Sequence, residues 1–137
     1  MTDEAATAVI RAVMPLCATL GVRTETYSAD EVALALDWAP SLCTSGGILH
    51  GGVIMALADS AGGACADLNL PAGASGTATI ESKTNFFGAV KAGTITATAT
   101  PLHHGGTTMA VETSVRDGTG RLVAKVTQTQ MILRPRA

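Results

Sequence analysis

The residues best suited to chemistry are the run His50-Gly51-Gly52 and Asp59, which follows Gly51 by eight positions. A helix that begins at Gly51 leaves its first backbone N–H groups without partners and carries partial positive charge there. Because glycine has no side chain to block a ligand, these groups could polarise a carbonyl or hold an anion. The plain alternative is a glycine-rich helix start with an incidental histidine.

Asp59 has no cation three or four residues away, where Met55, Ala56, Gly62 and Gly63 stand. A buried carboxylate without a partner is costly, and burial raises its pKa towards the range that base catalysis needs. The alternative is an ordinary surface aspartate. We expect burial, because the flanking helix faces are apolar or small.

The spacing of Gly51 and Asp59 predicts a site shared by two subunits. Eight residues of helix separate them by about 12 Å along the axis, so both cannot touch one carbonyl within a single chain. Antiparallel helices from two subunits could bring Gly51 of one chain to Asp59 of the other. Gly62 and Gly63 would allow a close approach, since a glycine in a helix interior otherwise only costs stability.

The helix that positions both residues is predicted over 51–68, where apolar residues recur at helical spacing with small residues on the other side. A short helix is predicted over 3–14, with its end marked by Pro15. Alternating patterns predict five strands: 22–37, 77–87, 94–100, 109–116 and 121–133. Short connections between the last four strands, one of them the turn His103–Gly106, predict an antiparallel meander and an α+β domain. Residues 1–137 are expected to form a single domain, with 1–19 as N-terminal helix and lead-in.

Composition excludes several classes of protein. The net charge is −2, and no Lys or Arg occurs between Arg23 and Lys83, so no surface is expected to bind nucleic acid. No apolar run is long enough to cross a membrane, and the N-terminus has no signal-peptide pattern, so a cytoplasmic location is expected. Cys17, Cys43 and Cys65 form no CxxC pair and are expected to be buried thiols, and no metal site is expected.

A family resemblance becomes specific at G-x-x-H-G-G, followed by L-A-D-S, in residues 47–60. This pattern resembles the hotdog-fold acyl-CoA thioesterases, most closely the PaaI-like (phenylacetate-pathway) group allied to the Arthrobacter-type 4-hydroxybenzoyl-CoA thioesterases. The resemblance extends through ESKTNFFGAVKAGTITATATPLHHGGTT and GRLVAKVTQTQMIL and covers roughly residues 20–133. It implies a long central helix wrapped by a curved antiparallel sheet, and a homodimer that pairs into a tetramer.

The resemblance implies hydrolysis of an acyl-CoA at the subunit interface, with no cofactor because CoA is part of the substrate. Asp59 would act as nucleophile or as general base for water, and the Gly51 N–H would hold the oxyanion, with His50 beside it. Thr77 would help to place the water. Family members commonly carry Asn where this chain has Thr44. Either the Thr44 hydroxyl takes over the orienting role, or catalysis is slower or places the water differently.

CoA contacts are likewise implied by the resemblance. Gly52 is expected to contact the substrate, and Asn85 and Phe86 to line the channel for the pantetheine arm. A turn formed by His103, His104, Gly105, Gly106 and Thr107 matches a region that contacts CoA. No basic residue near it in sequence would grip the phosphates, so the charge is expected from Lys83, from Lys91, or from Arg134 and Arg136 of a neighbouring chain.

Two other interpretations stay open. A non-catalytic acyl-CoA-binding module would explain Thr44 in place of Asn. A hydratase similar to MaoC-like proteins would need an Asp a few residues before a His. Ser45 and Gly46 occupy the approach to His50, so this second interpretation is disfavoured. The acyl group of the substrate is not determined by the sequence.

Overall fold

The computed structural model describes residues 1–136. In chain order the elements are α1 (Glu4–Val13), α2 (Pro15–Leu20), β1 (Arg23–Tyr27), β2 (Val32–Asp37), α3 (Gly51–Leu68), β3 (Gly76–Phe86), β4 (Thr94–His104), β5 (Thr108–Arg116) and β6 (Leu122–Leu133). Two short 3₁₀ turns, Pro40–Leu42 and Ser45–Gly47, lead from β2 to α3.

Helix α3 has the predicted bounds and packs on one face of a six-stranded antiparallel sheet, where it contacts β2, β3, β4, β5 and β6. Its buried residues include Leu57, Ala58, Ala61 and Cys65, all with no exposed surface. The prediction of an α+β fold with one long central helix is therefore confirmed. No helix within residues 1–136, α3 included, is long and apolar enough to cross a membrane.

The predicted meander is wrong for β3. The strand order is β1-β2-β4-β5-β6-β3, so β3 pairs with β6 rather than with its successor β4. Burial explains the order, because Ile95, Ala97 and Ala99 of β4 are fully buried beneath α3 whereas most residues of β3 are exposed. A strand that is polar on both faces is stable at a sheet edge, and the apolar strand takes the centre beside β2.

Three local boundaries also differ from the prediction. Residues 22–37 are not one strand but a hairpin of β1 and β2, turned at Ser28, whose N–H donates to the Glu31 carbonyl over 2.9 Å. His103 and His104 belong to β4, so the turn itself is Gly105–Thr107. Pro15 both ends α1 and occupies the first position of α2, where its missing N–H costs nothing.

The two edges of the sheet differ in whether another part of the chain covers them. At the β1 edge, the N–H of Asp3 donates to the Thr24 carbonyl over 2.7 Å, and the Thr24 N–H donates to the Thr7 hydroxyl over 2.9 Å. At the β3 edge, no element within residues 1–136 covers the 11-residue strand, and Ile80 is 56% exposed. An uncovered strand of this length is a template for pairing with another chain.

Candidate active site

The N-terminus of α3 presents one free backbone donor. His50 is the N-cap, and its Nδ1 accepts a hydrogen bond of 2.8 Å from the Gly52 N–H. The Val53 and Ile54 N–H groups donate to the His50 carbonyl over 3.0 and 3.3 Å. Within residues 1–136 the Gly51 N–H donates to no atom, so it is the donor left for a ligand at the positive end of the helix.

His50 therefore has a structural role as the cap of α3, in addition to its expected place beside the oxyanion-binding N–H. Because Nδ1 accepts, a neutral imidazole carries its proton on Nε2. The cap also occupies the N–H of Gly52, so Gly52 could contact a substrate only through its exposed surface and not as a backbone donor.

The Phe86 side chain flanks the free donor. A Cβ atom placed on Gly51 would lie 3.2 Å from Phe86 Cζ, so the ring already occupies the space beside this glycine. Phe86 and Phe87 are 49% and 61% exposed, which places them outside this chain's core. Phe86 therefore forms an aromatic wall on the side of Gly51 where a side chain would stand.

Asp59 lies on α3 with no ion pair or hydrogen bond to its carboxylate within residues 1–136. The expected burial of Asp59 is wrong for the single chain, in which the residue is exposed. Partial desolvation by its neighbours still raises the pKa of the carboxyl above 3.8. Further desolvation by a second subunit would act in the same direction. In one chain, the eight-residue spacing keeps Asp59 about 12 Å along the helix from Gly51.

The predicted site residues divide between the two ends of the α3–β3 layer. His50, Gly51, Gly52 and Phe86 lie together at one end, and Asn85 is exposed beside them on β3. Thr77 lies at the other end, where it pairs with Ile132 and lines a cavity with Gly63 of α3. Thr44 is exposed in the hairpin-like segment before α3, and its N–H donates to the Ile48 carbonyl over 2.8 Å.

The turn predicted to contact CoA lies at the Thr77 end. His103, His104, Gly106 and Thr107 are exposed, and Gly105 closes the turn by donating to the Thr108 carbonyl over 2.9 Å. The structure also supplies a cation that sequence proximity did not reveal. The Arg134 guanidinium donates to the Gly106 carbonyl over 3.2 Å, which places a positive charge at this turn.

Gly62 and Gly63 have different surroundings, which the sequence did not distinguish. A Cβ atom on Gly62 would collide with the Gln128 amide, 2.5 Å from its Cδ, whereas one on Gly63 would meet no atom within 4 Å. The element that approaches Gly62 is therefore β6 of the same chain and not a second subunit. Gln128 is 1% exposed, and both its amide atoms lack hydrogen-bond partners within residues 1–136.

We expect Gly62→Ala to lower the free energy of unfolding by about 1–3 kcal/mol, because the new methyl overpacks a confined amide. Gly63→Ala, the matched control one position later, should instead raise it by about 1 kcal/mol through helix propensity. Urea unfolding of the two variants measures both changes. Equal shifts in the same direction would contradict this account of Gly62.

Comparison with known proteins decides the family. The sequence model of the Thioesterase superfamily matches residues 46–124, more than half of the chain, including His50, Gly51, Asp59 and Thr77. The chain belongs to the Thioesterase superfamily. Its architecture is the hotdog fold of the thioesterase structures that it matches, as the resemblance in sequence implied.

Relatives of this thioesterase-superfamily chain are known in sequence and structure. The protein named "Putative esterase Rv1847" of Mycobacterium tuberculosis is 29% identical over 114 residues, 82% of this chain and 81% of the relative. Its solved structure has a TM-score of 0.86 at 27% identity, covering 90% of this chain and all of that one.

Two further structures are similar over most of their length. AziG of S. sahachiroi has a TM-score of 0.83 at 31% identity, covering 88% of this chain and 98% of that one. A mutant of phenylacetic acid degradation protein PaaI from Thermus thermophilus has a TM-score of 0.80 at 25% identity, covering 87% of this chain and 99% of that one. PaaI is thus among the structural neighbours of the chain.

Proposed function

We propose that this protein hydrolyses the thioester of an acyl-CoA to the free acid and CoA, and that its active site is built from two copies of the chain. The observation that carries the proposal is the free Gly51 N–H at the capped start of α3, with Asp59 further along the same helix. Membership of the Thioesterase superfamily supports the reaction class.

The chemistry follows from these two groups. Asp59 either attacks the thioester carbon directly or takes a proton from a water that attacks it. In both routes the carbonyl oxygen becomes an oxyanion, which the Gly51 N–H stabilises beside the Phe86 ring. The C–S bond then breaks and the CoA thiolate leaves. In the direct route this leaves a mixed anhydride between the acyl group and Asp59, which water then hydrolyses to the free acid and the regenerated carboxylate. In the water route the free acid forms at once, and the proton held by Asp59 passes to the thiolate.

The open β3 edge supports the assembly. Glu81 and Ser82 lie at the middle of β3, so antiparallel pairing of two copies about this point would set Thr77 of one chain opposite Phe86 of the other. Phe86 contacts Gly51 in its own chain. The two separated halves of the predicted site would thereby meet, with Gly51 from one protomer and Asp59 and Thr77 from its partner.

The test is release of free CoA thiol from a panel of aryl-CoA and fatty acyl-CoA thioesters by the purified protein. We expect turnover of at least one member of the panel and none after Asp59→Ala. Tight binding of CoA thioesters without any turnover would contradict the proposal and favour the acyl-CoA-binding module. Equal activity of the wild type and Asp59→Ala would reject the role of Asp59.

A further inference from the structure

A cavity of about 490 Å³ lies between α1, α3 and the start of β3. Its wall has an apolar part and a polar part: Ile10, Val13, Met14 and Ala64 form the first, and Tyr27, Asp67 and Thr77 the second. This volume is in the range of small-molecule sites, and the mixture of an apolar wall with a few polar groups is typical of them.

The cavity begins beside the proposed reaction centre. Gly63, which lines it, stands one helical turn after Asp59, so about 6 Å separates them along α3. Asp67 follows one turn further on the same helix side. A group attached to a carbonyl at Asp59 and directed along α3 would therefore enter the cavity past Gly63, where a side chain would stand in its way.

The polar groups of the cavity are available to a ligand. The Tyr27 hydroxyl, the Thr77 hydroxyl and the Asp67 carboxylate make no hydrogen bond or ion pair within residues 1–136. Among the described residues 1–136, no Lys, Arg or His lines the cavity. Asp67 contributes a negative charge to its wall, and this charge would repel an anion and accept a hydrogen bond from a neutral donor.

We infer that this cavity receives the acyl group of the substrate, and that it selects uncharged acyl groups over those with a terminal carboxylate. The inference rests on the proposed thioesterase function. It assigns to α1 a part of the specificity pocket, because Ile10, Val13 and Met14 close the side of the cavity opposite α3. An acyl group with a distal hydroxyl would donate a hydrogen bond to Asp67, which lies at an exposed part of the cavity wall.

The kinetic test compares kcat/KM for acetyl-CoA, hexanoyl-CoA and adipoyl-CoA, of which only the last has a terminal carboxylate. In the wild type, kcat/KM should be higher for hexanoyl-CoA than for adipoyl-CoA. Asp67→Asn should lower the ratio of these two kcat/KM values about tenfold, because it removes the like charge. Glu4→Gln is the matched control, because it removes an exposed carboxylate of α1 outside the cavity and should leave the ratio unchanged.

A second variant tests whether the acyl group occupies the space beside Gly63. Gly63→Leu adds a side chain whose Cβ meets no protein atom within 4 Å, so it should fill the cavity without disturbing the fold. The ratio of hexanoyl-CoA to acetyl-CoA hydrolysis should fall about tenfold or more. Unchanged ratios in both Gly63→Leu and Asp67→Asn would overturn the inference, while the hydrolysis itself would still stand.

A binding measurement decides the point without turnover. In methyl NMR spectra of the intact protein, hexanamide, an uncharged analogue of a six-carbon acyl group, should shift the signals of Ile10 and Met14 and not those of Ile95 and Met109, which are buried away from the cavity. Shifts absent at Ile10 and Met14 would reject the acyl pocket. If no thioester is hydrolysed but these shifts appear, the proposed function fails while the affinity of the cavity for an uncharged acyl group stands.

Discussion

Replacing Asp59 by Asn is expected to lower kcat/KM for the best CoA thioester about 10²–10⁴-fold, the usual contribution of a positioned acid–base group. Asn keeps the size of the side chain but can neither attack a carbonyl as an anion nor take a proton from water. Stopped-flow or steady-state release of CoA thiol measures the loss. A variant that keeps more than a tenth of wild-type activity would remove Asp59 from the mechanism.

The pH dependence gives a second measure of the same group. Burial raises the pKa of Asp59 above 3.8, so the ionised, active form is lost at a higher pH than for an exposed aspartate. The acidic limb of kcat/KM should therefore lie above 3.8, and it should be absent from the residual activity of Asp59→Asn. A limb at or below the ordinary value would show that the reacting carboxylate is not desolvated.

The stability of Asp59→Asn shows whether a loss of activity comes from unfolding. A carboxyl whose pKa is raised by folding holds its proton more tightly in the native state, so stability falls as the pH rises from the ordinary value through the raised one. Above that interval an ionised Asp59 lowers the free energy of unfolding, and Asn does not. Asp59→Asn should thus be at least as stable as the wild type at pH 7. Lost activity together with lost stability would leave the catalytic role unsupported.

Local patterns in the sequence predicted the helices and strands well. The strand order was not predicted, because it depends on pairing between residues far apart in the chain. The bounds of α3 followed from helical spacing and from the glycines after His50, which are properties of adjacent residues. The position of β3 at the edge depends on which strand can be buried beside β2. The charged Glu81 and Lys83 of β3 and the apolar residues of β4 indicate this arrangement, whereas short connections favour pairing of consecutive strands.

The sequence predicted some residues of the candidate site but not the contacts between them. Residue types and spacing selected His50, Gly51 and Asp59, because helix termini and lone carboxylates have a recognisable chemistry. The contact of Phe86 with Gly51 and of Arg134 with the Gly106 carbonyl depends on strand register, which brings together residues far apart in the chain. The packing of Gln128 against Gly62 likewise needed the relative position of β6 and α3, so the sequence could not separate Gly62 from Gly63.

Gly51→Pro is expected to lower kcat about 10²–10³-fold, because it deletes the one N–H assigned to the oxyanion. Proline suits the first position of a helix, where the N–H has no intrahelical partner. The preceding residue, His50, already has φ −61° and ψ 132°, which is the conformation that proline requires before it. Phe86 lies 3.2 Å from the new Cβ and is 49% exposed, so it has room to move aside.

Gly51→Ala separates the lost donor from the added bulk. It places the same Cβ against Phe86 but keeps the N–H, so it should lose much less activity than Gly51→Pro. Comparable losses in the two variants would mean that crowding at Phe86, and not the hydrogen bond, limits the reaction. Thermal unfolding of both variants checks that the His50 cap and the start of α3 remain formed.

Mixing the two inactive variants tests whether the site is shared between subunits. In a heterodimer of Asp59→Asn with Gly51→Pro, one of the two sites would combine the intact Gly51 of the first chain with the intact Asp59 of the second. Unfolding and refolding the variants together in equal amounts should therefore restore about one quarter of the wild-type activity, since half of the dimers are mixed and each has one complete site. If Gly51 and Asp59 acted within one chain, every site would still carry a defect, and the mixture would be no more active than its components.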